Sequence, residues 1–279
     1  MQDPLNHYIY HPLAWQLALR LARTPLTPNM VSVIGACFVL AAAAAYAQPW
    51  WPVSALLGLV LHMTWHVVDG ADGDLARITG RSSPTGEMVD GVCDYFSHVV
   101  LYLVLAWLLQ QQIGPVAWVA ATIAGASHIV QSNHVEVQRR QYQWWVYGVP
   151  WLRNTHDTES ETGRSGFGAL VSAYLKLASG MTPYALKVDA AVATAAERDP
   201  AALERIRAAV RAEAPPLLFL CKLLGPNPRA IVLGAAMLAG SPLYYFFYQS
   251  VVLNLLLVVS VVRHNLAAAR IARQIEGAA

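Results

Sequence analysis

The chain has 279 residues, of which 56% are hydrophobic and only 13% charged, too apolar for the surface of a soluble domain of that length. Its 19 basic and 17 acidic side chains leave a net charge of +2 and gather into no basic stripe, which removes nucleic acid from the expected partners. Cys37, Cys93 and Cys221 lie far apart in apolar runs; with no CxxC pair and no even count they indicate neither a zinc site nor a disulfide framework.

A membrane protein is therefore expected. The N-terminus lacks the basic segment, short apolar core and small-residue site of a cleaved leader, so the first residues are expected to remain. Between Pro12 and Arg23, Leu13, Leu17 and Leu21 recur at every fourth position while Gln16, Arg20 and Arg23 are polar, the pattern of a helix lying in the membrane interface. Hydrocarbon about 30 Å thick requires roughly 20 apolar residues per helical span. Such runs occupy Asn29 to Ala47, Val53 to Arg77, Met88 to Leu109 and Val116 to Ser132. The stretch from Ala230 to Val262 suits a hairpin of two spans turning between Ser241 and Gln249. The expected fold is an all-α polytopic membrane helix bundle of about six transmembrane helices with an N-terminal interfacial helix. Its segments are 1–28 (interfacial), 29–136 (four spans), 137–228 (connection) and 229–279 (two spans and tail).

Basic residues orient this bundle. Arg20 and Arg23, Arg77 and Arg81, the run from Arg139 to Arg229, and Arg263, Arg270 and Arg273 all fall in segments that six spans with a cytoplasmic N-terminus leave in the cytoplasm. The three expected outer loops carry no Lys or Arg. The 137–228 connection is expected to fold into surface helices, one starting where Asp199 caps and Pro200 opens a first turn. Trp144, Trp145 and Trp151 read as interface anchors.

Six of the 17 acidic residues, Asp69, Asp72, Asp74, Glu87, Asp90 and Asp94, fall within 26 positions at the facing ends of the second and third spans. Carboxylates at membrane depth are costly and normally face a bundle interior where they carry function. Asp69 and Asp72 are i, i+3, and Asp90 and Asp94 are i, i+4, so each pair occupies one helix face. Two such faces turned together would repel unless a cation sat between them. An all-carboxylate set selects Mg²⁺, Mn²⁺ or Ca²⁺ rather than zinc, and four acids suit two ions, Mg²⁺ or Mn²⁺, of the kind that serve phosphoryl chemistry. Gly70, Gly73 and Gly86 leave room for a phosphate to approach the backbone, and Arg77 offers a guanidinium one turn beyond Gly73.

The stretch Asp69-Gly70-Ala71-Asp72-Gly73-Asp74-Leu75-Ala76-Arg77, then eight residues, Gly86, three residues, Asp90, three residues and Asp94 resembles the complete signature of the CDP-alcohol phosphotransferases. The resemblance implies that Asp69, Asp72, Asp90 and Asp94 hold two metal ions and that Asp94 is general base toward the acceptor hydroxyl. It further implies that Asp72, Gly73, Ala76, Arg77 and Gly86 line the CDP site and that CMP leaves. Asp74 and Glu87 stand outside the defining positions.

Upstream, Pro28-Asn29-Met30-Val31-Ser32-Val33-Ile34-Gly35 resembles the Pro-Asn-x-x-Thr/Ser-x-x-Gly entry of several branches of that family, which brings Asn29 into the expected CDP site. The plainer reading has Pro28 start the helix and Asn29 cap it. His62 and His66 precede Asp69, and His98 follows Asp94, at helical spacing. His66, His98, Arg139 and Arg140 are the expected acceptor contacts, with bundle packing for the histidines and interfacial snorkelling for the arginines as the alternatives. The partners expected are a CDP-linked donor, a hydroxyl acceptor, at least one of them a lipid, the bilayer, and a second copy in a homodimer. The preferred assignment is a soluble CDP-alcohol donor with a lipid acceptor. The alternatives are a CDP-diacylglycerol donor with an inositol- or glycerol-phosphate-like acceptor and, remotely, a metal-ion carrier.

Overall fold

The computed structural model describes residues 3–149, 176–177 and 179–277, and among these every regular element is helical. A π-helical turn, Asn6–Tyr10, leads into α1 (His11–Leu21), followed by α2 (Pro28–Tyr46), α3 (Val53–Thr79), α4 (Pro84–Ile113) and α5 (Val116–Tyr147). Further along come α6 (Pro183–Arg198), α7 (Pro200–Leu223), α8 (Pro226–Leu238), α9 (Leu243–Phe247), a π-helical turn (Tyr248–Val252) and α10 (Leu253–Glu276). Trp151 and Arg153 to Arg164 of the expected connection lie outside the described residues.

Prolines and capping side chains define the helix starts. The Thr27 hydroxyl accepts from the Met30 amide at 3.3 Å ahead of Pro28, and the Ser83 hydroxyl accepts from the Gly86 amide at 3.0 Å ahead of Pro84. Thr27, not Asn29, is thus the α2 cap, because Pro28 takes the first helical position and leaves Asn29 inside the first turn. Asp199 caps α7 through the amides of Ala201 and Ala202, with Pro200 first in the helix, as the sequence suggests. α3 ends where Gly80 turns into the left-handed region at φ 66°.

Among the described residues, four helices are long and apolar enough to cross a membrane: Pro28–Tyr46, Val53–Thr79, Met88–Ile113 and the continuous Leu243–Glu276; the broken run Pro200–Glu213 plus Leu218–Leu238 makes a fifth if taken as one span. The described residues thus give four or five such helices where the sequence suggests about six, within the expected all-α polytopic architecture. α5 is not among them, because Ser127, His128, Gln131, Ser132 and Asn133 interrupt its apolar sequence. Several of these polar groups turn inward instead. Gln131 Nε2 donates to Asn254 Oδ1 at 2.8 Å, Asn254 Nδ2 donates to Ser127 Oγ at 2.9 Å, and His134 Nε2 lies 3.0 Å from Ser260 Oγ. The last turn between apolar helices comes at Ala239 to Pro242, slightly earlier than expected, where Gly240 has φ 86°.

The chain forms two compact units, residues 1–126 with 226–250, and residues 127–225 with 251–279. In the first, Val39, Ala42, Ala43, Tyr46, Leu101, Leu105, Leu109 and Leu233 form the main core. Gly58 is required there, since a Cβ would fall 2.5 Å from the Tyr46 ring. A smaller core joins α1 to α3 through Ala14, Ala18, Ala71 and Leu75. The small side of α1 is therefore the buried one, and Leu13, Trp15 and Leu19 stay exposed; the leucine stripe seen in the sequence only partly packs, because α1 approaches too closely for large side chains. In the second unit, Trp145, Val188, Val192, Ile206, Val210 and Ile271 form the core. Trp145 is fully buried and its indole donates to Asp189 at 2.6 Å, so it is a packing residue rather than an interface anchor.

Candidate active site

The site belongs to the first unit and is built on α3 and α4. Asp69 and Asp72 project from α3, and Asp90 and Asp94 from α4. The two helices bring Asp69, Asp90 and Asp94 close enough that one oxygen from each lies within 4.8 Å of the others. Asp72, 7% exposed, stands beside this trio with Asp90 as its carboxylate neighbour, and its Oδ2 accepts from Ser32 Oγ at 2.5 Å. Asp94 Oδ1 accepts from Trp65 Nε1 at 3.1 Å. Ser32 and Trp65 are neutral donors, so they orient the carboxylates without cancelling their charge. Closely packed hard oxygen donors at the end of apolar helices match the requirements of a small divalent cation.

A cavity of about 160 Å³ opens beside the acids. Asn29, Asp72, Gly73, Ala76, Arg77 and Gly86 all line it, together with Ser32, Ser83 and Asp90. Gly86 is tight: a Cβ there would come 3.3 Å from Ser83 Oγ and 3.4 Å from Asn29 Oδ1. Arg77 is not free-standing, since its guanidinium bonds Asp74 at 2.6 Å one turn back while two thirds of its side chain remains exposed. Asp74 therefore has a place in the site that the motif alone does not give it. Gly70 serves differently from expectation. It faces α1, where its absent Cβ would lie 3.2 Å from Ala14 Cβ, so it permits helix approach rather than phosphate approach.

The histidines cluster behind Asp94. His62 and His98 have ring centroids 5.6 Å apart, and Trp65 meets both His66 and His98 edge-on at 4.6 Å. His98 Nδ1 lies 2.8 Å from the Asp94 carbonyl, and His66 stacks on Tyr10 at 5.2 Å. Arg139 and Arg140, in the second unit, both grip Glu136: Arg139 through two bonds at 2.8 and 2.9 Å, Arg140 through one at 2.7 Å. Sequence reasoning missed the roles of Trp65 and Ser32. Trp65 is four residues before Asp69 on the same helix, and Ser32 fills the hydroxyl position of the Pro-Asn pattern, so helical spacing carried a signal for each.

Apolar membrane-crossing helices with aspartates gathered at the facing ends of two of them define an integral membrane protein with a candidate divalent-metal site. Residues 25–154 match the family described as CDP-alcohol phosphatidyltransferase. It is 30% identical over 110 residues to ethanolaminephosphotransferase 1 of Homo sapiens, and equally to that of Pongo abelii; each match covers 35% of this chain and 28% of the relative. It is 34% identical over 99 residues to archaetidylinositol phosphate synthase of Aeropyrum pernix, covering 33% of this chain and 47% of that protein. The matches thus span less than half the length of these relatives.

Proposed function

We propose that this protein transfers a phosphoalcohol from a soluble CDP-alcohol to the hydroxyl of a lipid acceptor, releasing CMP. The observation that carries the reading is the convergence of Asp69, Asp90 and Asp94 within 4.8 Å beside a cavity lined by Asn29, Gly73, Ala76, Arg77 and Gly86. The similarity to ethanolaminephosphotransferase 1 supports the choice of donor.

Asp69, Asp72, Asp90 and Asp94 would hold two Mg²⁺ or Mn²⁺ ions, which when bound supply neutralisation of the donor's pyrophosphate. The protein's own groups do the rest. Asn29, Gly73, Ala76 and Gly86 receive the CDP moiety, and Arg77, held by Asp74, pairs with a phosphate oxygen. Trp65 donates to one oxygen of Asp94 and fixes the carboxylate that takes the proton from the acceptor hydroxyl. That hydroxyl oxygen forms a bond to the phosphorus nearer the alcohol as the bridging P–O bond breaks, and CMP departs with the electron pair. A single in-line displacement of this kind depends on positioning and charge neutralisation. His66 and His98 border the acceptor side of Asp94. Arg139 and Arg140 act on the acceptor only if it draws them away from Glu136. The working end faces the cytoplasm, where CDP-donors are made, and cysteines at Gln48 and Gln111 should then react with an impermeant reagent from outside.

The deciding experiment supplies the purified protein with radiolabelled CDP-ethanolamine or CDP-choline plus diacylglycerol, or CDP-diacylglycerol plus inositol phosphate, and measures CMP and labelled lipid. CMP release from the first pair, lost in Asp94→Asn with donor binding retained, supports the proposal. The similarity to archaetidylinositol phosphate synthase favours the second reading, a lipid CDP-donor with a soluble phosphorylated acceptor. Turnover of only the second pair would establish it.

A further inference from the structure

A second site lies on the other side of the catalytic helix. Within the first unit, a groove of about 630 Å³ runs between α1 and α3. Leu17, Val60, Met63 and Val67 form its apolar walls, and Arg20 and Gln16 are polar groups on its rim. The two helices run in the same direction here: Tyr10 stacks on His66, and four residues later Ala14 meets Gly70. Arg20 therefore sits toward the carboxylate end of α3, while Val60 lies about 10 Å deeper than Val67 at 1.5 Å per residue. Arg20 is exposed and makes no ion pair with any described carboxylate.

We propose that this groove holds a bilayer phospholipid, its phosphate on Arg20 and Gln16 and one acyl chain along Met63 and Val60. The order of groups selects this occupant. A cation at the polar end of a span, with apolar wall running inward from it, reproduces the order of phosphate and chain in a phospholipid, and a guanidinium binds phosphate through two parallel bonds. A neutral diacylglycerol would leave Arg20 unsatisfied. The site is distinct from the reaction centre, because Val60 and Asp69 are nine residues apart on α3, about two and a half helical turns, and so point to opposite sides. A lipid seated there would press α1 onto the helix that carries Asp69 and Asp72. The inference does not depend on which CDP-donor the protein uses.

Native mass spectrometry of the full chain in detergent, incubated with phosphatidylglycerol or with diacylglycerol of the same acyl chains, tests it. One phosphatidylglycerol per chain should be retained, and diacylglycerol at least about tenfold more weakly. Arg20→Gln should weaken phosphatidylglycerol roughly tenfold by removing a charge-assisted pair. Val60→Trp, at a position 60% exposed and so harmless to the core, should displace the chain with a similar loss. Inorganic phosphate should not compete. Unchanged retention in both variants, equal binding of diacylglycerol, displacement by free phosphate, or a protein dimer broken by Val60→Trp with no lipid retained would each overturn the proposal.

Discussion

The indole Nε1 of Trp65 on α3 donates to Oδ1 of Asp94 on α4 at 3.1 Å, bridging the two helices that supply the carboxylates. Trp65 is 7% exposed, wedged between His66 and His98, and rests 3.5 Å from where a Cβ of Gly35 would lie. Its ring is thus held on three sides, and the bond fixes one rotamer of Asp94. Trp65→Phe, which keeps an aromatic ring but loses the donor, should lower kcat by roughly 10- to 100-fold, the loss of a hydrogen bond to a charged group. KM for both substrates should change little. Steady-state kinetics on both substrates would check this; a rise in KM with kcat intact would make Trp65 a packing residue.

Gly86 should control donor access. With Ser83 and Asn29 already within 3.4 Å of a Cβ at this position, Gly86→Val fills the cavity and should raise the donor KM by roughly 10- to 200-fold, the range for a misfitted methyl-sized group. Gly86→Ala should be milder. Calorimetric titration with CMP would show the same order.

Asp74 and Arg77 should behave as a pair. Asp74→Asn frees a guanidinium that is now bonded at 2.6 Å and should raise the donor KM several-fold, less than Arg77→Ala. Because Arg77 is largely exposed, thermal stability should shift by under about 1 kcal/mol. A double variant no worse than Arg77→Ala alone would show that Asp74 acts only through Arg77.

Removal of divalent ions should abolish turnover and also weaken CMP binding. Chelation followed by Mg²⁺ or Mn²⁺ should restore both, whereas Asp90→Ala should resist restoration at ordinary metal concentrations because one donor is missing. Binding of CMP that is indifferent to chelation would separate the nucleotide cavity from the carboxylate trio.

Gly58 tests the fold rather than the chemistry. A methyl group there would meet the buried Tyr46 ring at 2.5 Å, so Gly58→Ala should destabilise by about 1 to 3 kcal/mol through overpacking. A lowered midpoint of thermal unfolding, with donor KM unchanged in the folded fraction, is the expected signature.

By itself the sequence determined the features that depend on spacing along one chain. Helical identity, the Pro28 and Pro200 helix starts, and the two aspartate pairs all follow from residues within a few turns of each other. Asn29, Asp72, Gly73, Ala76, Arg77 and Gly86, which the family resemblance assigns to the nucleotide, line one cavity; the last five span a helix end, a turn and the next helix start, which places them on facing walls. Only the tertiary structure decided which residues serve those walls from elsewhere. Ser32 reaches Asp72 across 40 positions and Trp65 reaches Asp94 across 29. It also decided that Gly70 exists for Ala14, that Arg77 is bound by Asp74, and that the polar face of α5 turns inward rather than facing lipid. The reason is physical: local pattern reports which face of a helix is polar or small, and what that face meets is set by the packing of helices distant in the chain.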